Sequence, residues 1–209
     1  MLPHSRRISP ELIVLSALGF LTRFWGLLAP NEVVWDEVHY EHFAGAYFTG
    51  NYYVDVHPPL GKLLFAATAK VLGVSGAVLA NNGPAPLLRV LPALCGALII
   101  PLVYLLLREI GAGRRTATIG AAFLLVDNAL LVESRFILPD VPLLFSGLLA
   151  VLLFAKARHA SGTARAGLIA ATAVAGGVAI AIKWTGLSAL GLIGLIWAVD
   201  ALRSQRFAI

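Results

Sequence analysis

Ionisable side chains that could carry chemistry gather in four short clusters along this 209-residue chain. The clusters are Trp35-Asp36-Glu37, Asp55-Val56-His57, Glu133-Ser134-Arg135 with Asp140, and Lys183-Trp184. Ionisable groups close to lipid are costly and are usually retained for a function. The clusters are therefore the first candidates for a site.

Asp36 and Glu37 are adjacent carboxylates, and two interpretations stay open. One is a helix N-cap with a solvated neighbour. The other is a general base that takes a proton from an attacking hydroxyl. Adjacent helical residues point about 100° apart, so the two carboxylates cannot share one task. One could be the base while the other braces the loop.

The cations of these clusters are candidates for binding an anion. Arg135 suits either a lipid-headgroup anchor or a phosphate clamp, because a guanidinium bonds phosphate oxygens in pairs. Lys183 interrupts an apolar stretch, which favours anion binding. Arg23 is costly within an apolar segment unless it is paired, and we expect an outer-loop acid as its partner. Asp127 could cap a helix or pair.

Metal and nucleotide chemistry have little support in the sequence. His39 and His42, with the acids around them, could hold a metal, but their spacing matches no strong zinc motif. We find no P-loop, dinucleotide-binding glycine pattern or Ser-His-Asp arrangement. The single cysteine, Cys95, excludes an intrachain disulfide. We expect no cofactor and no resident metal, although a divalent ion is not excluded.

The elements that must position these clusters are membrane helices. Hydrophobic residues make up 59% of the chain and charged residues 13%, against about half and a quarter in soluble domains. This composition excludes a disordered chain, a nucleic-acid-binding module and an ordinary cytosolic enzyme. Six segments are apolar enough to span a bilayer, and they are residues 11–30, 87–107, 116–132, 141–155, 166–182 and 186–202.

The distribution of charge gives these spans a direction. Most basic residues lie at one set of span ends and most acids at the other. Short loops rich in Arg and Lys stay in the cytoplasm, so we expect both termini there. Arg6-Arg7 is a poor twin-arginine export signal, because no small-residue cleavage site follows the first span.

Residues 31–86 form the one long connection, and we expect it on the outer face. Two segments in it have the apolar stripe of an interfacial helix, residues 36–49 and 60–72. The second stripe contains Leu63 and Val71 and is flanked by Lys62 and Lys70. A helix this short with two lysines is expected to lie on the membrane.

Four motifs then resemble one family, the dolichyl-phosphate-mannose–protein mannosyltransferases, membrane glycosyltransferases of the GT-C fold. They occur in the family's order, and they are residues 23–40, 55–64, 133–140 and 182–187. The resemblance implies an all-α polytopic protein, a single GT-C domain over residues 1–209 with residues 31–86 as its catalytic loop. It also indicates the N-terminal part of a longer chain.

The resemblance implies transfer of mannose, with inversion, from polyprenyl-phosphate-mannose to serine or threonine hydroxyls of secreted or membrane proteins. It makes Asp36 the catalytic base and Glu37 a bracing or acceptor-side residue. Arg135 and Lys183 would lie near the donor phosphate, and His57 and Asp140 would line the site. Pro139 departs from the aliphatic residue we expect there.

Alternatives stay open beside this resemblance. A related GT-C enzyme could move arabinose or aminoarabinose to a glycan or lipid, and a chain of another class could be a non-catalytic membrane subunit, an inactive fragment or a small transporter. A dimer is one state that the sequence allows. The Ala-, Arg- and Leu-rich composition favours a bacterial plasma membrane over an endoplasmic reticulum.

Overall fold

In the computed structural model, which describes residues 9–81 and 83–206 with side chains to residue 203, every regular element is a helix. The predicted all-α fold is therefore confirmed. The α-helices of the described residues are α1 (Pro10–Phe24), α2 (Glu37–Thr49), α3 (Leu60–Val71), α4 (Gly76–Ala80), α5 (Val90–Glu109), α6 (Arg114–Val126), α7 (Asn128–Glu133), α8 (Asp140–Arg158), α9 (Gly162–Ile182) and α10 (Leu187–Arg206). Short 3-10 turns, Pro86–Arg89 and Trp184–Gly186, lead into α5 and α10.

Four helical segments in the described part of the chain are long and apolar enough to cross a membrane. They are Pro86–Glu109, Asp140–Arg158, Gly162–Ile182 and Trp184–Arg203. These segments match the predicted second, fourth, fifth and sixth spans. The architecture is that of a multi-pass integral membrane protein, as predicted.

The helices found in place of the predicted first and third spans are shorter than those spans. Helix α1 ends at Phe24 after 15 residues, and α6 has 13 residues. Asp127 separates α6 from α7, and its carboxylate accepts the Leu130 N–H at 2.7 Å to cap α7. At 1.5 Å per residue, α1 and α6 measure about 22 and 20 Å, less than the roughly 30 Å of a hydrocarbon core. The total of six spans stays a prediction.

The membrane helices pack through a central core and through small residues. Helix α5 contacts α1, α6 and α8, and Leu15, Ile99, Ile100 and Ala117 are buried where these helices meet. Helix α9 packs on α8 with a face rich in alanine and glycine. Small residues let helix backbones approach closely where lipid offers no hydrophobic driving force.

The outer segment contains both predicted interfacial helices, now α2 and α3, together with α4. These helices share a second apolar core around Phe65, Leu79 and Leu88. The face of α3 that is buried differs from the predicted stripe, since Lys62 is buried while Val71 is exposed. The prediction that Lys62 flanks the helix at the membrane surface is wrong, because its ammonium group is held in an internal ion pair.

Candidate active site

The four polar clusters meet where α2, α3 and α8 begin and α9 ends. Gly61 makes this meeting possible, because a Cβ there would lie 3.3 Å from Cβ of Pro139 and 3.4 Å from Cγ2 of Ile182. The Ile137 N–H donates to Oε1 of Glu37 at 2.9 Å, which joins the first cluster to the third. Residues far apart in sequence therefore form one region on the predicted outer side.

Asp36 lies at the N-cap position of α2, and its side chain is exposed. Its carboxylate makes no capping hydrogen bond, so the N-cap interpretation holds for its position but not for its side chain. Trp35, just before it, has φ of 51°. A non-glycine residue in this left-handed region costs about 1–3 kcal/mol and is retained only where its surroundings require it. The Trp35 ring lies 5.9 Å from the Phe136 ring.

Glu37 is buried, in contrast to its neighbour, and its carboxylate is fully engaged. Arg89 donates to it twice, from Nε to Oε1 and from Nη2 to Oε2, both at 2.7 Å. The backbone N–H groups of Val34 and Ile137 complete the set at 3.0 and 2.9 Å. All four hydrogen bonds come from the protein itself, a geometry that suits a bracing residue.

Arg89 is a site residue that the sequence reasoning missed. Besides Glu37, its guanidinium donates to the carbonyl oxygens of Pro30 at 2.8 Å and Glu32 at 3.0 Å, and it lies 5.4 Å from the centre of the Phe136 ring. The sequence signal that could have identified Arg89 is its position at the outer end of the predicted second span. A charge that is buried there needs a partner.

The second cluster is organised around the ammonium group of Lys62. This group contacts Oδ2 of Asp55 and donates to the His57 carbonyl at 2.7 Å, and it lies 5.5 Å from the Phe43 ring centre. Partial burial raises the pKa of Asp55, but the hydrogen bond and charge of Lys62, together with the backbone N–H groups of Val56 and His57, outweigh it and lower that pKa. The His57 side chain is left to line an open basin beside Asp55.

Tyr40 is a second residue that the sequence reasoning did not place in the site. Burial and then the charges of Asp140, Asp55 and Asp36 raise the pKa of its phenol to about 12. These three acids come from three different clusters, so Tyr40 is within electrostatic range of all three. Its ring also packs 5.8 Å from the Phe65 ring, which ties the polar region to the apolar core.

Lys183 and Arg135 lie in the same region with different partners. Nζ of Lys183 donates to Oδ1 of Asp140 at 2.8 Å, and both side chains are partly exposed. Arg135 donates to backbone carbonyls at the end of α1, including Trp25 at 2.6 Å and Gly26 at 3.2 Å. Within the described residues no carboxylate pairs with Arg135, so its positive charge is not neutralised by an acid.

Arg23 has a different partner from the one expected. Its guanidinium is buried and donates to the carbonyl oxygens of Leu124 and Leu125, both at 3.0 Å, at the end of α6. The expected pairing with an outer-loop acid is wrong. Carbonyls at a helix C-terminus attract a cation, which gives α1 and α6 a fixed contact.

Residues that could hold a metal are scattered in the described part of the chain. There, no three His, Cys, Asp or Glu side chains are grouped closely enough to hold a metal ion. His39 and His42 are both exposed on α2. The expectation of no resident metal stays a prediction.

Comparison with known proteins now identifies the family. The family model for Dolichyl-phosphate-mannose-protein mannosyltransferase matches residues 13–206. The chain belongs to this family. The resemblance drawn from the four motifs is confirmed.

Named relatives agree with the family model. Dolichyl-phosphate-mannose--protein mannosyltransferase 4 of Schizosaccharomyces pombe is 38% identical over 167 residues, covering 74% of this chain and 22% of the relative. Dolichyl-phosphate-mannose--protein mannosyltransferase 1 of Saccharomyces cerevisiae is 36% identical over 199 residues, covering 89% and 24%. Protein O-mannosyl-transferase 1 of Rattus norvegicus is 35% identical over 208 residues, covering 93% and 28%.

A solved structure shows the same fold. It is the S. cerevisiae protein O-mannosyltransferase Pmt1-Pmt2 complex bound to the sugar donor, with a TM-score of 0.84, 34% identity and coverage of 90% of this chain and 27% of that chain. The predicted GT-C fold is confirmed. The chain thus spans about a quarter of the length of the relatives it matches. These relatives are eukaryotic, so the expectation of a bacterial membrane is not supported.

Proposed function

We propose that this chain supplies the catalytic base and the donor-side cations for transfer of mannose from polyprenyl-phosphate-mannose to a serine or threonine hydroxyl of a protein. The observation that carries the proposal is the Asp36 carboxylate. It is exposed at the junction of four polar clusters, and its side chain makes no capping hydrogen bond to the described residues of α2. A free carboxylate beside a strained backbone residue suits a general base.

The proposed chemistry is one inverting displacement. Asp36 takes the proton of the acceptor hydroxyl, whose oxygen forms a bond to the anomeric carbon of mannose. The bond from that carbon to the phosphate oxygen breaks on the opposite face, and polyprenyl phosphate leaves with the electron pair. The phosphate bond already activates the sugar, so the reaction as proposed needs no nucleotide.

Lys183 and Arg135 are proposed to stabilise the charge that develops on the leaving phosphate. Lys183 is exposed enough to turn from Asp140 towards a phosphate oxygen, and Asp140 keeps it in position until then. Arg135 keeps its carbonyl partners and contributes through its unneutralised charge. His57 is proposed as part of the site wall.

The orientation and assembly of the chain belong to the same proposal. The charge pattern supports a cytoplasmic N-terminus and a reaction on the outer or lumenal face. The solved relative is a complex of two protein O-mannosyltransferase chains, which supports association of this chain with a second copy or a related chain. The composition favours a bacterial plasma membrane, a location that the eukaryotic relatives do not support.

A transfer assay with a base-deficient variant tests the proposal. Membranes carrying the full reading frame receive radiolabelled polyprenyl-phosphate-mannose and a Ser/Thr-rich peptide, with and without a chelator. Asp36→Asn is expected to lower the transfer rate by about two to four orders of magnitude. Glu32→Gln, which changes another exposed acid of the same segment, is the matched control. Normal transfer by Asp36→Asn would contradict the proposal.

A further inference from the structure

Residues 51–57 lie in the connection between α2 and α3 and form neither helix nor strand. The side chains of Tyr52, Val54 and Val56 are 92%, 81% and 78% exposed, while the residues between them are partly buried. Alternation with a period of two is typical of a strand. One face of this segment is thus anchored to the protein and the other carries an apolar row that nothing in the described chain covers.

At the start of this segment, residues 51–54, the backbone has no hydrogen-bond partner in the described part of the chain. An apolar row over an unpaired backbone is poorly suited to lipid, because hydrocarbon cannot satisfy those polar groups. An extended polypeptide can satisfy them, as in the addition of a strand to an exposed sheet edge.

The segment borders an open basin of about 360 Å³. Tyr47, Asn51, Tyr52 and His57 line it, and the Tyr53 hydroxyl donates to that of Tyr47 at 2.6 Å. Tyrosine and asparagine provide apolar area and adaptable hydrogen bonding, the chemistry by which paratopes bind polypeptides. The basin could therefore accept side chains of an extended peptide.

The segment is linked to the region that contains the proposed base. Lys62, which anchors Asp55 and His57, follows Gly61, and Gly61 lies against Pro139 and Ile182 of the site. The charges of Asp55 and Asp36 both act on the Tyr40 phenol. A peptide bound along this segment would reach towards Asp36 with its own side chains.

We propose that residues 51–56 form an edge to which the acceptor polypeptide binds in an extended conformation, through main-chain hydrogen bonds to residues 51–54 and apolar contact with Tyr52, Val54 and Val56. This inference rests on the proposed function, because it assigns a binding surface to the protein acceptor. It predicts selection of unfolded or extended Ser/Thr segments. A serine or threonine within folded structure has no free backbone groups to pair with the edge.

The first test compares two valines of equal exposure. Val54→Lys places a charge on the edge, whereas Val71→Lys places one on α3, where Val71 is 82% exposed. In membranes with the full reading frame, Val54→Lys is expected to raise the KM for a Ser/Thr-rich peptide about tenfold. The KM for the lipid-phosphate donor should not change. Equal acceptor KM values in the two variants would overturn the proposal.

The second test does not depend on mannose transfer. A photo-crosslinking p-benzoylphenylalanine replaces Tyr52, and a biotinylated Ser/Thr-rich peptide is added without donor. Saturable crosslinking, competed by the plain peptide but not by one with N-methylated amides, supports the edge even if transfer fails. Equal competition by both peptides, or crosslinking to lipid alone, overturns it even if the wild-type protein transfers mannose.

Discussion

Replacing Glu37 should destabilise the protein, whereas replacing its neighbour Asp36 should not. Glu37 is buried and its two oxygens accept four hydrogen bonds, two of them from the buried Arg89. Glu37→Gln removes the charge and one acceptor oxygen, so Arg89 is left buried with an uncompensated charge. Asp36 is exposed and lacks a capping bond, so Asp36→Asn removes nothing that holds the fold.

The size of the stability loss in Glu37→Gln follows from the contacts between Glu37 and Arg89. Removing one partner of a buried ion pair costs about 3–5 kcal/mol. Two hydrogen bonds to a charged group, at about 1.5–3 kcal/mol each, give a similar figure. For a chain of this length, 1 kcal/mol shifts the melting temperature by about 2–4 °C. Glu37→Gln should therefore lower the melting temperature by about 10 °C.

Thermal unfolding in detergent, followed by the fraction of protein that stays monodisperse, measures this shift. Glu32→Gln serves as the matched control, because that side chain is exposed in the same segment and should shift the melting temperature by less than about 2 °C. An unchanged melting temperature in Glu37→Gln would refute the bracing role. A large loss of stability in Asp36→Asn would show that Asp36 also holds the fold.

Three further changes test other parts of the site. Burial, reinforced by Glu37, raises the pKa of the buried Glu41 from 4.5 to about 7. Wild-type stability should therefore fall as pH rises from about 4.5 to about 7, and Glu41→Gln should reduce that slope in melting temperature measured against pH. Lys62→Met leaves the Asp55 charge unpaired and should destabilise by about 3 kcal/mol, measured by thermal unfolding. Gly61→Leu should force α3 from Pro139, costing about 1–3 kcal/mol and lowering mannose transfer in the same preparation.

Much of the fold could be predicted because membrane spans follow from composition. The four long spans and the two outer helices were found from apolar length and periodicity alone. The first and third spans were overestimated, since hydropathy does not show where a backbone turns. Asp127 breaks the third span by capping α7 with its side chain, a local hydrogen bond that an apolar count ignores.

The candidate site was predicted in part, and the residues missed have a common cause. The polar residues of the four clusters stood out as motifs, and the structure brings all four motifs together. Arg89 was missed because its partners, such as Glu37, are distant in sequence. Lys62 was misplaced because its side chain turns inward to Asp55 and the His57 carbonyl, just before its own helix. A charged residue beside an apolar run is typical of the membrane surface, and only tertiary contacts show that it is internal.

The contrast between Asp36 and Glu37 explains how a surface carboxylate can be held in place without bonds of its own. A general base that accepted several hydrogen bonds would lose proton affinity and block its own substrate. Glu37 takes the bonds instead, and burying it is tolerable only with Arg89 and the two backbone N–H groups in place. Asp36 is covalently next to it, and Trp35 at φ of 51° turns the chain on the other side. The position of the free carboxylate is thus set by its neighbours, which is why a variant that loosens Glu37 should impair transfer even with Asp36 intact.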